Sequence, residues 1–170
     1  LRTGAQEAVI QGNLNVARQV SEQIDLYVTG SVKILKAVAA DLQRTGLATW
    51  QQDRILKNYV LEFPEFRELT LLDENGGPRV SSRLGKPSVT VPNGDSARID
   101  GVLMSRFSVD DDLLPTAVLA IQLSDGQSQG WLVGRLNLEE LWRMVDRIRV
   151  GTKGYASVVT TERQLLAHGD

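Results

Sequence analysis

The chain has 170 residues, enough for one domain or one domain with an extended helical arm. Its 42% hydrophobic content is ample for a core, and a net charge of −2 with scattered Lys and Arg argues against a nucleic-acid partner. With no Cys, disulfides, thiolate nucleophiles and Cys-type metal sites are all excluded.

Residues 5–43 read as one long helix. Val9, Val16, Val20, Ile24, Val28, Leu35, Val38 and Leu42 recur at spacings of three, four and seven, which sets them on one stripe. At 1.5 Å per residue such a helix is roughly 58 Å long, more than a small domain is wide. Its first half, from Val9 to Ile24, is therefore expected to meet the same helix of a second copy. Gly30 in its interior predicts a kink or a close helix contact. Gly46 supplies a C-terminal stop. A second helix spans 49–63, with Thr49 as its cap, and ends before Pro64 because the residue preceding proline leaves the α region.

The β-rich part follows. Residues 66–83, FRELTLLDENGGPRVSSR, form a hairpin with strands at 67–73 and 79–83. Asp73 and Asn75 satisfy turn backbone and Gly76 supplies the dihedrals, so this turn is punctuation, not chemistry. Residues 84–100 read as loop, 102–109 as a strand, and Asp110, Asp111 and Asp112 as a solvated acidic turn. Consecutive aspartates point different ways and make a poor cation loop, so no metal is expected. Residues 116–123 and 131–136 are an antiparallel pair, and 138–150 an amphipathic helix. Residues 155–168, YASVVTTERQLLAH, close the chain as a second hairpin.

The residue inventory does not favour an enzyme. His168 is the single histidine and has no nucleophile arrangement beside it, so no catalytic residue and no cofactor are assigned. It reads as a surface residue at a strand end, and Trp131 and Trp142 read as core or interface residues. Arg106 can offer a planar fork of donors to a ligand carboxylate, and alternation sets it opposite Phe107.

Four segments together resemble the Cache sensor domains of bacterial transmembrane receptors: 66–82, 115–123 (PTAVLAIQL), 130–141 (GWLVGRLNLEEL) and 151–168 (GTKGYASVVTTERQLLAH). The most specific features are a strand ending in Asn137-Leu138 before a helix, then Gly151-x-x-Gly154-Tyr155 opening a strand–turn–strand. The resemblance implies an α+β fold. A long N-terminal helix (1–46, a dimerisation stalk) would precede a PAS-like module (47–170) with an antiparallel sheet of five to six strands and flanking helices. It implies an extracytoplasmic, periplasmic module between transmembrane helices that lie outside this sequence. That module would detect a small molecule, as a homodimer, for a histidine kinase first, or for a chemoreceptor or cyclic-dinucleotide enzyme. A cytosolic PAS-type interaction module is the reading from another class. On the resemblance, Arg106, Phe107 and Tyr155 border the ligand cavity. Members that bind amino acids carry Arg-x-Trp-Tyr where residues 104–115 read MSRFSVDDDLLP, a departure that argues against an amino-acid ligand.

Overall fold

The computed structural model describes residues 4–44, 46–94, 96–124 and 129–150. The expected 155–168 hairpin, with Tyr155 and His168, lies outside these residues. The element order is α1 (Gly4–Leu42), α2 (Thr49–Glu62), β1 (Phe66–Leu72), β2 (Pro78–Ser81), β3 (Ala97–Ile99), β4 (Val102–Met104), β5 (Ser108–Val109), β6 (Pro115–Thr116), β7 (Val118–Ser124), β8 (Gln129–Leu136) and α3 (Leu138–Val150). Six strands form one antiparallel sheet in the order β2-β1-β8-β7-β4-β3, and β5 pairs with β6 apart from it. This is the expected α+β arrangement of a long helix on a PAS-like sheet.

The period of two in the strands gives the sheet two unlike faces. Leu69, Leu71, Leu119, Leu132 and Leu136 point inward and meet α1 and α3 in the main core. Leu35 of α1 and Leu138, Leu141 and Val145 of α3 are fully buried there. Each such leucine contributes about 1.5–3 kcal/mol by leaving water. The second helix packs over β1 and β2. Outward point Leu72, Leu103, Val118, Ala120, Trp131 and Val133, a smaller apolar patch on which Val89 and Val91 of the 84–96 segment lie. No helix packs on this outer face among the described elements.

One irregularity sets which side chains face which way. Phe66 pairs with Leu136 and Glu68 with Arg135, so Arg67 is an extra residue in β1. Without this bulge Phe66 and Glu68 would share a face; with it Phe66 joins the core while Glu68 turns out. The Phe66 ring then lies over Gly134 of β8, where a Cβ would come within 2.5 Å of it.

Several expectations change. Val16 and Val20 are 3% and 0% exposed within this single chain, and Ile24 packs on the same core. That part of the stripe is spent on the chain's own core, not on a partner helix. Gly30 neither interrupts α1 nor sits at a close contact, since a Cβ there would meet nothing within 4 Å. Thr49 is not the cap of α2. Ala48 occupies that position, and its N–H donates to Gln51 Oε1 at 2.7 Å, half of a capping box. The expected 102–109 strand stops at Met104 and resumes at Ser108, and the expected loop holds the short strand β3. Other features fall where the residues predicted. Gly46 adopts a positive φ of 81°, Phe63 before Pro64 is extended, and α3 spans Leu138–Val150. The Asp73 carboxylate accepts from Asn75 N at 2.9 Å and Gly77 N at 2.8 Å, closing the turn as punctuation. Trp142 is half-buried against the main core and Trp131 against the outer patch.

Because Phe66 and Gly134 share one space, Gly134→Ala must push the ring out of the core. Thermal unfolding of this variant should show a loss of about 1–3 kcal/mol, the usual cost of overpacking.

Candidate ligand site

Polar side chains concentrate where β1 and β8 meet on the outer face. Glu68 is 2% exposed, yet both carboxylate oxygens are engaged. Thr70 Oγ1 donates to it at 2.7 Å, Ser88 Oγ at 2.7 Å, and Ser88 N at 3.3 Å. Arg83 of the segment after β2 lies 3.6 Å away and supplies the counter-charge. A buried carboxylate is tolerable only with this many donors.

Arg135 stands beside it on β8, in register with Glu68. Its Nε donates to Ser88 Oγ at 3.1 Å and one terminal nitrogen to the Ser88 carbonyl at 2.8 Å. The other donates to Thr116 Oγ1 at 3.4 Å. Ser88 is thus tied to the sheet by Glu68 on one side and Arg135 on the other. Together with Val89 and Val91 this tie holds the 84–96 segment as a roof over the outer face.

Two hollows open beneath and beside that roof. One, of about 460 Å³, is lined by Arg67, Glu68, Arg83, Ser88, residues 108–112 and Arg135. The other, of about 610 Å³, is lined by residues 90–94, Ser96, Ser105, Arg106, Ser108, Val118 and Arg135. Ser108 and Arg135 line both, so the hollows are two compartments of one cleft. Either is of the size that holds a small molecule.

Below the cleft a polar joint connects it to the helices. Arg67, displaced by the bulge, donates to Asn137 Oδ1 at 3.1 Å and forms ion pairs with Asp110 and Glu139, each at 3.4 Å. Asn137 links β8 to α3, and its backbone carbonyl accepts from the Tyr27 hydroxyl of α1. Asp110 also accepts from the N–H groups of Asp112 at 3.0 Å and Leu114 at 2.9 Å. The acidic run is therefore a turn, as expected, but Asp110 is tied in rather than solvated. Among the described residues no cluster of three metal-ligating side chains occurs.

Of the three residues singled out from sequence, the structure brings one to the cleft. Arg106 lines the second compartment. Phe107 packs on the main core from the other side and lines neither compartment. Tyr155 lies outside the described residues. The residues that sequence reasoning missed are Glu68, Ser88 and Arg135. Their signal was available: FRELTLL and WLVGRL each carry a charged side chain inside an otherwise apolar strand.

The chain matches no known family model and no curated protein. Solved structures of low identity share its architecture. It superposes on the ligand-binding domain of the Pseudomonas aeruginosa PAO1 amino acid chemoreceptor PctC in complex with GABA, with a TM-score of 0.58 at 17% identity. The match covers 76% of this chain and 61% of that one. The ligand-binding domain of a Campylobacter jejuni chemoreceptor in complex with L-norvaline gives 0.63 at 14% identity, over 85% of this chain and 64% of that one. The extracellular domain of a proposed histidine kinase gives 0.62 at 14%, over 86% and 64%. The fold is that of bacterial receptor ligand-binding domains. The chain spans slightly less than two thirds of the length of these structures. No helix among the described residues is long and apolar enough to cross a membrane.

Two predictions follow from these contacts. Glu68→Ala leaves the Thr70 and Ser88 donors and the Arg83 charge without their acceptor. It should lower stability by about 1–3 kcal/mol and speed proteolytic cleavage within 84–96, whereas Glu68→Gln should be milder. The second concerns pH. Burial, reinforced by Glu65 and Glu140, pushes the Tyr27 hydroxyl well above the usual tyrosine range, with Arg67 opposing. The hydrogen bond to Asp41, followed by burial, pushes Tyr59 up to about 12. Both folded values exceed the unfolded one, so the contribution to stability is complete below about pH 10. It is lost as pH rises through the folded values. Denaturant titrations above pH 10 should therefore show falling stability, and Tyr27→Phe should shorten that decline while costing about 1 kcal/mol at neutral pH.

Proposed function

We propose that this chain is the extracytoplasmic sensing module of a bacterial transmembrane receptor, a histidine kinase in the first instance, which binds a small molecule in the outer-face cleft. The observation that carries this reading is the cleft itself. It has a sheet floor with buried, fully engaged polar groups and a roof tied down by a single serine. The likeness of fold supports it, because neighbours in complex with GABA or L-norvaline are ligand-binding domains and another is an extracellular domain. The same likeness supports a chemoreceptor as the alternative output.

The module works by binding, not by bond breaking. Arg67 and Asp110 line the cleft and connect through Asn137 to Tyr27 on α1 and to the start of α3, so occupancy of the cleft can bias this joint. A ligand shifts such a joint only by preferring one of its arrangements over another. The helices would carry that preference toward the membrane as a small translation or rotation. Arg106 contacts ligand from the second compartment in this reading. Homodimerisation belongs to it too, with the pairing surface on exposed Ile10 and Leu14, one turn apart on α1, since Val16 and Val20 are already buried.

Thermal-shift screening of organic acids, amines and amino acids tests direct sensing. A true ligand present at about a hundredfold its Kd adds about 2.7 kcal/mol of stability. Ser108→Trp, which fills the junction of the compartments without entering the core, should abolish that shift and leave the unliganded Tm unchanged. A screen in which no compound shifts the wild type would sink the reading.

A further inference from the structure

We infer that the ligand is anchored by an anionic group seated on Arg135, at the waist between the two compartments, and that seating it releases the Ser88 tie that holds the roof. The inference rests on the outer-face cleft being the ligand site, and adds the class of ligand and the movement it causes.

The charges in the cleft are unequally matched. Arg67 is neutralised by Asp110 and Glu139, and Arg83 by Glu68. Arg135 differs: its contacts go to three neutral oxygens, on Ser88 and Thr116. It is half-buried in the floor of the cleft, where water can compensate only part of its charge. The nearest carboxylate, Glu68 across the strand, is shared with Arg83, so two guanidiniums face one negative charge. A partly desolvated cation in that position attracts an anion more strongly than an exposed one does. A guanidinium also offers five N–H donors in a fixed fork, a match to the two oxygens of a carboxylate.

Position decides which way the anion enters. Asp111 and Asp112 line the first compartment and repel it there. The second compartment is lined by Arg106 as well as by Arg135. Thr90, Asn93, Ser96 and Ser105 offer hydrogen bonds there, beside Val91 and Val118. The body of a small polar organic acid fits that lining, with its acid group on Arg135.

The same fork edge now holds Ser88. Nε and one terminal nitrogen donate to the Ser88 hydroxyl and carbonyl. A bidentate carboxylate takes that edge, because charged acceptors outcompete neutral ones. Ser88 then keeps only its Glu68 contacts, and the roof loses one of its two polar ties.

Titration calorimetry and hydrogen exchange on the folded chain test both halves, with acetate, succinate and inorganic phosphate as anionic probes and succinamide as the uncharged counterpart. At least one anion should bind and succinamide should not. Arg135→Gln should weaken that binding by about tenfold or more, the loss of a charge-assisted hydrogen bond. Arg135→Lys, which keeps charge without the fork, should fall between. Amide exchange at 84–92 should rise when the anion is bound. Equal affinity for succinamide and succinate, or an Arg135→Gln variant that binds as well as wild type, overturns the anion. Anion binding with unchanged exchange at 84–92 overturns the release of the roof. Neutral probes that bind and are blocked by Ser108→Trp would leave the sensing role standing while this inference falls. A complete absence of anion binding overturns the inference.

Discussion

A strand that must bury phenylalanine on one side and display a carboxylate on the other cannot obey strict alternation when the two residues are Phe66 and Glu68. The extra residue at Arg67 resolves the conflict, and much of the molecule depends on that solution. It lets the Phe66 ring occupy the space above Gly134, so the sheet and helices close without a void. It turns Glu68 into the cleft, where Ser88 can be held. It also throws Arg67 off the ladder toward Asn137, which links the cleft to α1 and α3. In a register without the bulge, the core residues of β1 and its cleft residues could not both be in place.

The two sides of the sheet are stabilised by different physics. The inner side is apolar and continuous with α1 and α3, and its strength comes from area removed from water. The outer side is a small apolar patch edged by directional polar contacts. Such contacts contribute modestly to net stability but specify geometry, and they exchange readily for contacts to a ligand of equal or greater charge. Opening the outer side therefore costs little against the stability of the inner one.

The sequence displayed the scaffold more clearly than the site. Long apolar runs and Gly or Pro stops located α1, α3, β1, β7 and β8 to within a residue or two, because burial and backbone sterics are local signals. Strand β3 was hidden because its three residues are mostly exposed and carry no alternation. The break between Met104 and Ser108 was hidden because SRFSV alternates as a continuous strand would. The stripe on α1 was visible, but not whether its partner belonged to the same chain; the short helix α3 supplies part of that partner from over a hundred residues away. Arg106 reached the cleft through that same break rather than through strand alternation. The pairing of Glu68 with Ser88 crosses 20 residues and that of Arg135 with Ser88 crosses 47, distances over which no periodicity speaks.

The roof over the cleft also bears on how such a module can diversify. The described residues of 84–96 contribute no side chain to the main core; their apolar anchors, Val89 and Val91, belong to the separate outer patch. Substitutions, insertions or exchange of this segment rewrite most of the second compartment's lining while leaving α1, α3 and the inner sheet unaltered. The lining of the second compartment and the main core thus lie on separable pieces of chain. Changes confined to this segment, most of whose described residues are exposed or half-buried, would reshape the cleft without disturbing the main core.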